Sequence, residues 1–351
     1  VAWISTAASK IFFMQLGFML YETGHVTQIL IPSIILKNIA DLFVSVITFM
    51  CFAYSFSMSP ESFHGLISIP RNIFLYGVSS DEHSFVLVSM VFSSACATIT
   101  SGAVLERMQT RAYLIYVGLV VLINYSLVAH WVWHPDGWLH KLGFMDSAGA
   151  SVIHMVGGMA SLIAVWHLGP RRGNLDPGTG RLIAKQKPAE QPVIVAMGCL
   201  ILWFGWYSFN ISAPIMSHKQ LGHAMGSVGL VTLLSPVCSA TCAAFIMYRG
   251  WIKLSFDQLL SCALAGLVAI TGSNATIYVP ETFVIGLLCA PFYLTMKHII
   301  REKWQMDDPV HVIAIHLMCG MYSIFMEGIF ANNTFGDEYT GLLAGNWRHF
   351  L

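Results

Sequence analysis

Apolar residues along this chain come in long runs, and polar residues collect between them. A helix needs ~20 mostly apolar residues to cross a bilayer. Ten stretches qualify, approximately 2–22, 33–57, 83–104, 113–133, 146–168, 192–213, 223–248, 257–273, 281–299 and 309–331. Several carry Gly, Ser and Ala at close spacing, which suits helix-on-helix contact in lipid. The longest polar stretch, 169–191, opens Gly169-Pro170-Arg171-Arg172 and reads as a cytoplasmic connector. It divides helices 1–5, about 1–168, from helices 6–10, about 192–331. Five is odd, so the second half enters the membrane upside down relative to the first. Transporters use such inverted repeats, with the site near the midplane. The pattern predicts an all-α polytopic membrane protein: a single domain over 1–351, an inverted repeat of five plus five transmembrane helices, and a tail at 332–351.

Composition agrees. Hydrophobic residues make up 56% and charged residues 10% of the chain, against roughly 25% charged in soluble domains. The lipid bilayer is therefore a partner. The 18 basic and 18 acidic residues cancel, which argues against nucleic acid. With the N-terminus outside, Lys37, Arg107, Arg171, Arg301 and most other basic residues fall in cytoplasmic connections. Only Arg71, Lys141, Lys219 and Arg348 then lie outside, an asymmetry that favours this orientation in a cell (plasma) membrane. The eight cysteines are scattered through apolar segments without a CxxC, so neither a zinc site nor a disulfide framework is indicated.

Chemistry concentrates in two copies of Asp-x7-His-x3-Gly, Asp146…His154…Gly158 and Asp308…His316…Gly320. An aspartate opening an apolar helix reads as an N-cap. The histidine then falls two turns deeper, about 12 Å at 1.5 Å per residue. Polar groups at that depth are costly and mark pathways or sites. One copy alone is weak evidence; recurrence on the fifth and tenth helices is much stronger. Other residues carry plainer readings. Phe92 and Phe209 alone would be core packing, Trp133 an interfacial belt residue, and Ser151 and Asn210 helix-contact groups. Glu106 and Arg107 read as an ion pair at the cytoplasmic face, and Glu22 as a cap or interfacial group. His311 lies five residues before His316, a rotation that points it elsewhere.

The chain resembles the ammonium transporter family (Amt/Mep, distantly related to Rh proteins) over nearly its whole length. The matching stretches include Gln15-Leu-Gly-Phe-Met-Leu-Tyr-Glu22-Thr-Gly24, Lys37-Asn38-Ile-Ala-Asp41, Gly102-Ala-Val-Leu-Glu106-Arg107 and Ala129-His130-Trp-Val-Trp133. Gly169-Pro-Arg171, Phe204-Gly-Trp-Tyr-Ser-Phe209-Asn210, Ala265-Gly-Leu-Val268, Asp307-Asp308-Pro309 and Gly345-Asn-Trp347 follow in order. The resemblance implies a homotrimer with a narrow hydrophobic pore through each subunit. It implies that His154 and His316 are twin pore histidines relaying a proton, and that Phe92 and Phe209 form an aromatic gate. Trp133 would recruit the cation, with Asp146 and Asp308 supporting the site. Three departures stand out: Ala213 replaces a vestibule serine, His311 replaces a common acid, and an eleventh helix is expected to be missing after Trp347.

The implied function is membrane transport of ammonium and methylammonium, with no cofactor, no metal and no enzymatic step. Ammonium and potassium are alike in size and charge. Carrying either into a dry channel has an idealised cost of order 20 kcal/mol, but ammonium can shed a proton and cross as ammonia. Three alternatives remain: an Rh-like electroneutral ammonia channel, an ammonium sensor without significant flux, and a membrane redox protein with a bis-histidine haem.

Overall fold

The computed structural model describes residues 2–183, 189–216, 221–253, 255–332 and 340–346, with only the backbone described at 2, 213–216 and 221–224. Ala213's expected effect and most of the 332–351 tail thus lie outside the described side chains and residues. Ten long helical segments run through the described chain. They are α1 (Ala2–Thr23), α2 (Gln28–Met58), α3 (Ser80–Ala103), α4 (the consecutive Thr110–Leu119, Val120–Tyr125 and Ser126–Trp133) and α5 (Ala150–Leu168). After the connector come α6 (Pro192–Met216), α7 (Leu221–Tyr248), α8 (Phe256–Thr271), α9 (Val279–Lys303) and α10 (Ile313–Phe330). Among the described residues, eight helices are long and apolar enough to cross a membrane. The apolar helix α8 is shorter, with 16 residues, about 24 Å at 1.5 Å per residue.

Each segment coincides with a predicted stretch, and the boundaries differ where local chemistry overrides hydropathy. The helix expected from 146 begins at Ala150, and the one expected from 309 begins at Ile313. A two-stranded hairpin, β1 (Ser62–Phe63) and β2 (Ile67–Ser68), lies between α2 and α3. At two residues per strand it is too short to leave an alternating pattern.

The apolar surface follows from the solvent. Leu36, Phe43 and Ile47 on α2, Ile115 on α4, and Leu200 and Phe204 on α6 are exposed, as lipid permits. By contrast α3 is buried nearly all round, and it carries Phe92.

Glycine sets the close approaches. Along α1 and α6, a Cβ on Gly198 would stand 2.5 Å from the Tyr21 amide nitrogen, and one on Gly17 2.8 Å from Leu202. Between α5 and α10, a Cβ on Gly158 would stand 2.5 Å from the Leu317 amide nitrogen. One on Gly320 would stand 2.9 Å from the Ala150 carbonyl oxygen. Without a hydrophobic drive between helices in lipid, such backbone contact supplies the packing. First meets sixth and fifth meets tenth, so the chain's two halves join through helices of equal rank.

At one end of the bundle, Arg171 donates from Nε and its backbone amide to Asp307 Oδ2, each at 2.9 Å. Arg171 also pairs with Glu106 at 3.1 Å. This corrects the expected Glu106–Arg107 pair: Arg107 turns instead to the carbonyls of Gly169, Ala103 and Asp307. Adjacent residues at a helix end diverge, and the connector supplies a better-placed guanidinium.

Candidate functional site

Asp146 and Asp308 build the local scaffold. The Asp146 carboxylate accepts the backbone N–H groups of Gly149 and Ala150, both at 2.8 Å, Ser151 at 2.6 Å and Val152 at 3.2 Å, and the Ser151 hydroxyl. These are the orphan donors at the start of α5. Asp308 likewise accepts from Val312 at 2.9 Å and Ile313 at 2.8 Å, at the start of α10. Both carboxylates are buried. Neither is the N-cap residue itself. Each reaches over an intervening turn, which needs positive φ at Gly149 (96°) and at His311 (60°).

That geometry corrects the expected helical run from aspartate to histidine. His154 is the fifth residue of α5 and His316 the fourth of α10, and both sit in π-helical turns, Ala150–Met155 and Ile313–Met318. The two turns of helix inferred between cap and histidine do not exist. The π turns insert a residue into the ladder, and such turns occur frequently at functional sites. Nothing in an apolar run announces them.

The two histidines meet. His316 Nδ1 and His154 Nδ1 lie 3.1 Å apart, with ring centroids 5.2 Å apart and planes inclined by 25°. One Nδ1 must carry hydrogen and the other a lone pair. The two neutral rings are therefore opposite tautomers, with one Nε2 a donor and the other an acceptor. His154 Nε2 is buried and has no partner among the described residues. A haem iron ligated by both Nδ1 atoms would hold them about 4 Å apart, roughly 2 Å from each, wider than the 3.1 Å observed.

Aromatic rings close one side. Phe92 and Phe209, both fully buried, have ring centroids 4.5 Å apart. Phe209 lies 5.8 Å from His154, and Trp133 lies 6.0 Å from Phe92. Trp133, Phe92, Phe209 and His154 thus form a continuous series. The Trp133 indole N–H donates to the Asp146 carbonyl oxygen at 2.9 Å, tying the outermost ring to the loop that starts α5.

Trp206 is a neighbour to which the sequence assigned no role. Its ring stacks on His154 with centroids 5.1 Å apart and planes 14° apart, and its indole N–H donates to Thr271 at 3.0 Å. Trp206 and Phe209 are three residues apart on one helix face, a signal that was present in the sequence. His311 lines a separate small cavity with Lys297, Arg301 and Asp308, away from the histidine pair as expected. Asn210 donates to Thr232 across α6 and α7 at 3.0 Å, a helix-contact role. Ser151 instead serves the Asp146 cap. Glu22 is not interfacial: it is 2% exposed and pairs with Lys37 at 3.3 Å.

A multi-pass helical membrane protein with a buried imidazole pair beside a series of packed aromatic rings fits the class of small-solute transport proteins. The chain belongs to the Ammonium Transporter Family, whose sequence model matches residues 2–351. It is similar to Ammonium transporter 3 of Dictyostelium discoideum, 30% identical over 338 residues, covering 95% of this chain and 76% of that protein. It is also similar to ammonium transporter Amt2 of Archaeoglobus fulgidus, 31% identical, covering 99% and 76%. Among solved structures, one titled "Sensor Amt Protein" superposes with a TM-score of 0.90 at 30% identity, covering 99% of this chain and 86% of that one. Saccharomyces cerevisiae Mep2 superposes with a TM-score of 0.87, covering 99% and 79%; at 22% identity it bears on the fold alone.

Proposed function

We propose that this chain carries ammonium across a cell membrane by deprotonation at the His154–His316 pair, with ammonia passing the pore and the proton handed between the rings. The observation that carries this is the 3.1 Å Nδ1–Nδ1 contact beside an orphaned, buried His154 Nε2. A dry constriction refuses a bare cation because desolvation is so costly. A neutral imidazole accepts a proton from ammonium and has nothing to accept from potassium. Trp133 recruits the cation at the mouth, where a desolvated cation over an indole gains ~2 kcal/mol. Phe92 and Phe209 exclude water, and Asp146 and Asp308 hold the histidine-bearing turns without touching substrate. The family's homotrimer, with the N-terminus outside, completes the proposal.

The test is reconstitution into liposomes with ammonium, methylammonium or potassium outside, recording uptake and current. Uptake of the first two without potassium flux is the expected result; equal permeation by potassium contradicts the proposal. Similarity to a structure titled as a sensor favours one second reading. On that reading the chain binds ammonium with negligible flux, and the same recordings would show binding without uptake. Current accompanying ammonium uptake argues against the Rh-like electroneutral alternative.

A further inference from the structure

The transport scheme leaves several buried acids unused, and one of them, Glu22, faces a cavity. A small cavity of about 30 Å³, enough for one or two water-sized molecules, has His316 in its wall and, also in its wall, Glu22. Apolar side chains such as Phe18, Ile99, Leu264 and Val312 make up much of the rest. The other polar groups on this wall are already satisfied. The Tyr21 hydroxyl pairs with Ser261 at 2.9 Å, the Thr98 hydroxyl donates to Gln15 at 2.8 Å, and the Trp206 N–H is held by Thr271.

The two oxygens of Glu22 are unequal. Oε2 accepts from the Ser101 hydroxyl at 2.8 Å and Asn38 Nδ2 at 3.0 Å, and Lys37 Nζ lies 3.3 Å away. Among the described residues no hydrogen-bond donor is recorded on Oε1. Oε1 lies 3.8 Å from where a Cβ on Gly102 would stand, and Gly102 itself lines the cavity. The Lys37 charge is shared, since its ammonium also donates to the Ser101 carbonyl at 3.0 Å and lies 5.1 Å from the Tyr113 ring. Tyr113 in turn donates to Asp41 at 3.0 Å. The cluster thus holds two carboxyl groups against one ammonium.

We infer that Glu22 is a second cation-binding group, with Oε1 accepting an N–H of an ammonium-type cation in the cavity it shares with His316. A carboxylate immobilised through one oxygen presents the other without further ordering cost, and N⁺–H···O⁻ bonds are the strong class of hydrogen bond. Glu22 lies in the last turn of α1, which is the cytoplasmic end in the proposed orientation. This assignment rests on the transport function proposed above for its direction, though not for its binding chemistry.

The test is an infrared difference spectrum of the purified protein, exchanging potassium for ammonium at constant ionic strength. The expected result is a perturbed carboxylate band that is absent in Glu22→Gln. The band should also be shifted in frequency in Ser101→Ala, which removes one hydrogen bond to Oε2 and keeps the acid. Spectra of either variant identical to wild type overturn the inference, and Ser101→Ala decides it should Glu22→Gln fail to fold. In proteoliposomes, Glu22→Gln should raise the KM for methylammonium efflux about tenfold, roughly the loss of one charged contact. The KM for uptake should stay near wild type, and equal changes on both sides also count against the site. A wild type that moves no ammonium removes the transport proposal, while the spectra still decide Glu22.

Discussion

At the scale of single residues, carboxylates fix geometry and imidazoles supply chemistry. Asp146 gathers four backbone donors and one hydroxyl. An asparagine there offers one acceptor and turns a donor toward other donors. Asp146→Asn should therefore destabilise the protein by about 3 kcal/mol, in the range for leaving buried polar groups unpaired. Thermal unfolding in detergent measures this, and a loss within error of zero would deny Asp146 its capping role. Trp206 lies flat against His154, so Trp206→Leu removes the wall that orients the ring. Methylammonium uptake should fall roughly tenfold, equivalent to about 1.4 kcal/mol of positioning, with thermal stability changing much less. The histidines, phenylalanines and Trp133 were legible because the spacing recurs and the motifs match a family. Trp206 is legible only through its spacing from Phe209, because one more tryptophan among ten says nothing by itself. The burial of Glu22 is not legible, because its partner Lys37 reaches it from the neighbouring helix α2.

At the scale of elements, hydropathy located all ten long helices of the described residues, because a bilayer forces long apolar runs. It could not locate the starts of α5 and α10. There the aspartates reach across turns and the backbone enters π-helical geometry, neither of which alters an apolar pattern. Helix contacts depend on glycine. A methyl group at Gly158 would meet the backbone of Leu317, and backbone cannot swing aside as a side chain does. Gly158→Ala should cost about 1–3 kcal/mol as overpacking and separate the two histidine-bearing helices. At Gly226 an added Cβ meets nothing within 4 Å. Gly226→Ala should be neutral or stabilising by up to about 1 kcal/mol, from helix propensity alone. Equal unfolding temperatures for the two variants would show that close approach at Gly158 is unimportant.

At the scale of the whole molecule, the two halves are joined by helix pairing and by a polar lock. Burial would raise the Asp307 carboxyl, but the hydrogen bonds and charge of Arg171 outweigh it and hold it below the ordinary carboxylate value. A depressed native value means that the group's contribution is complete above its unfolded value of about 3.9. The contribution drains away as pH falls through the native value. Wild type should thus lose unfolding temperature steadily below about pH 4. Asp307→Asn should begin lower and show a flatter acid limb, read from detergent melts across that range; parallel limbs would contradict the lock.

The central claim is that ammonium is admitted because buried imidazoles take its proton. The most direct measurement is the ratio of methylammonium to potassium uptake in proteoliposomes containing wild type, His154→Asp or His316→Ala. The account predicts a high ratio for wild type and, in each variant, a collapse through lost transport or through potassium entry. Variants that transport with the wild-type ratio would contradict it.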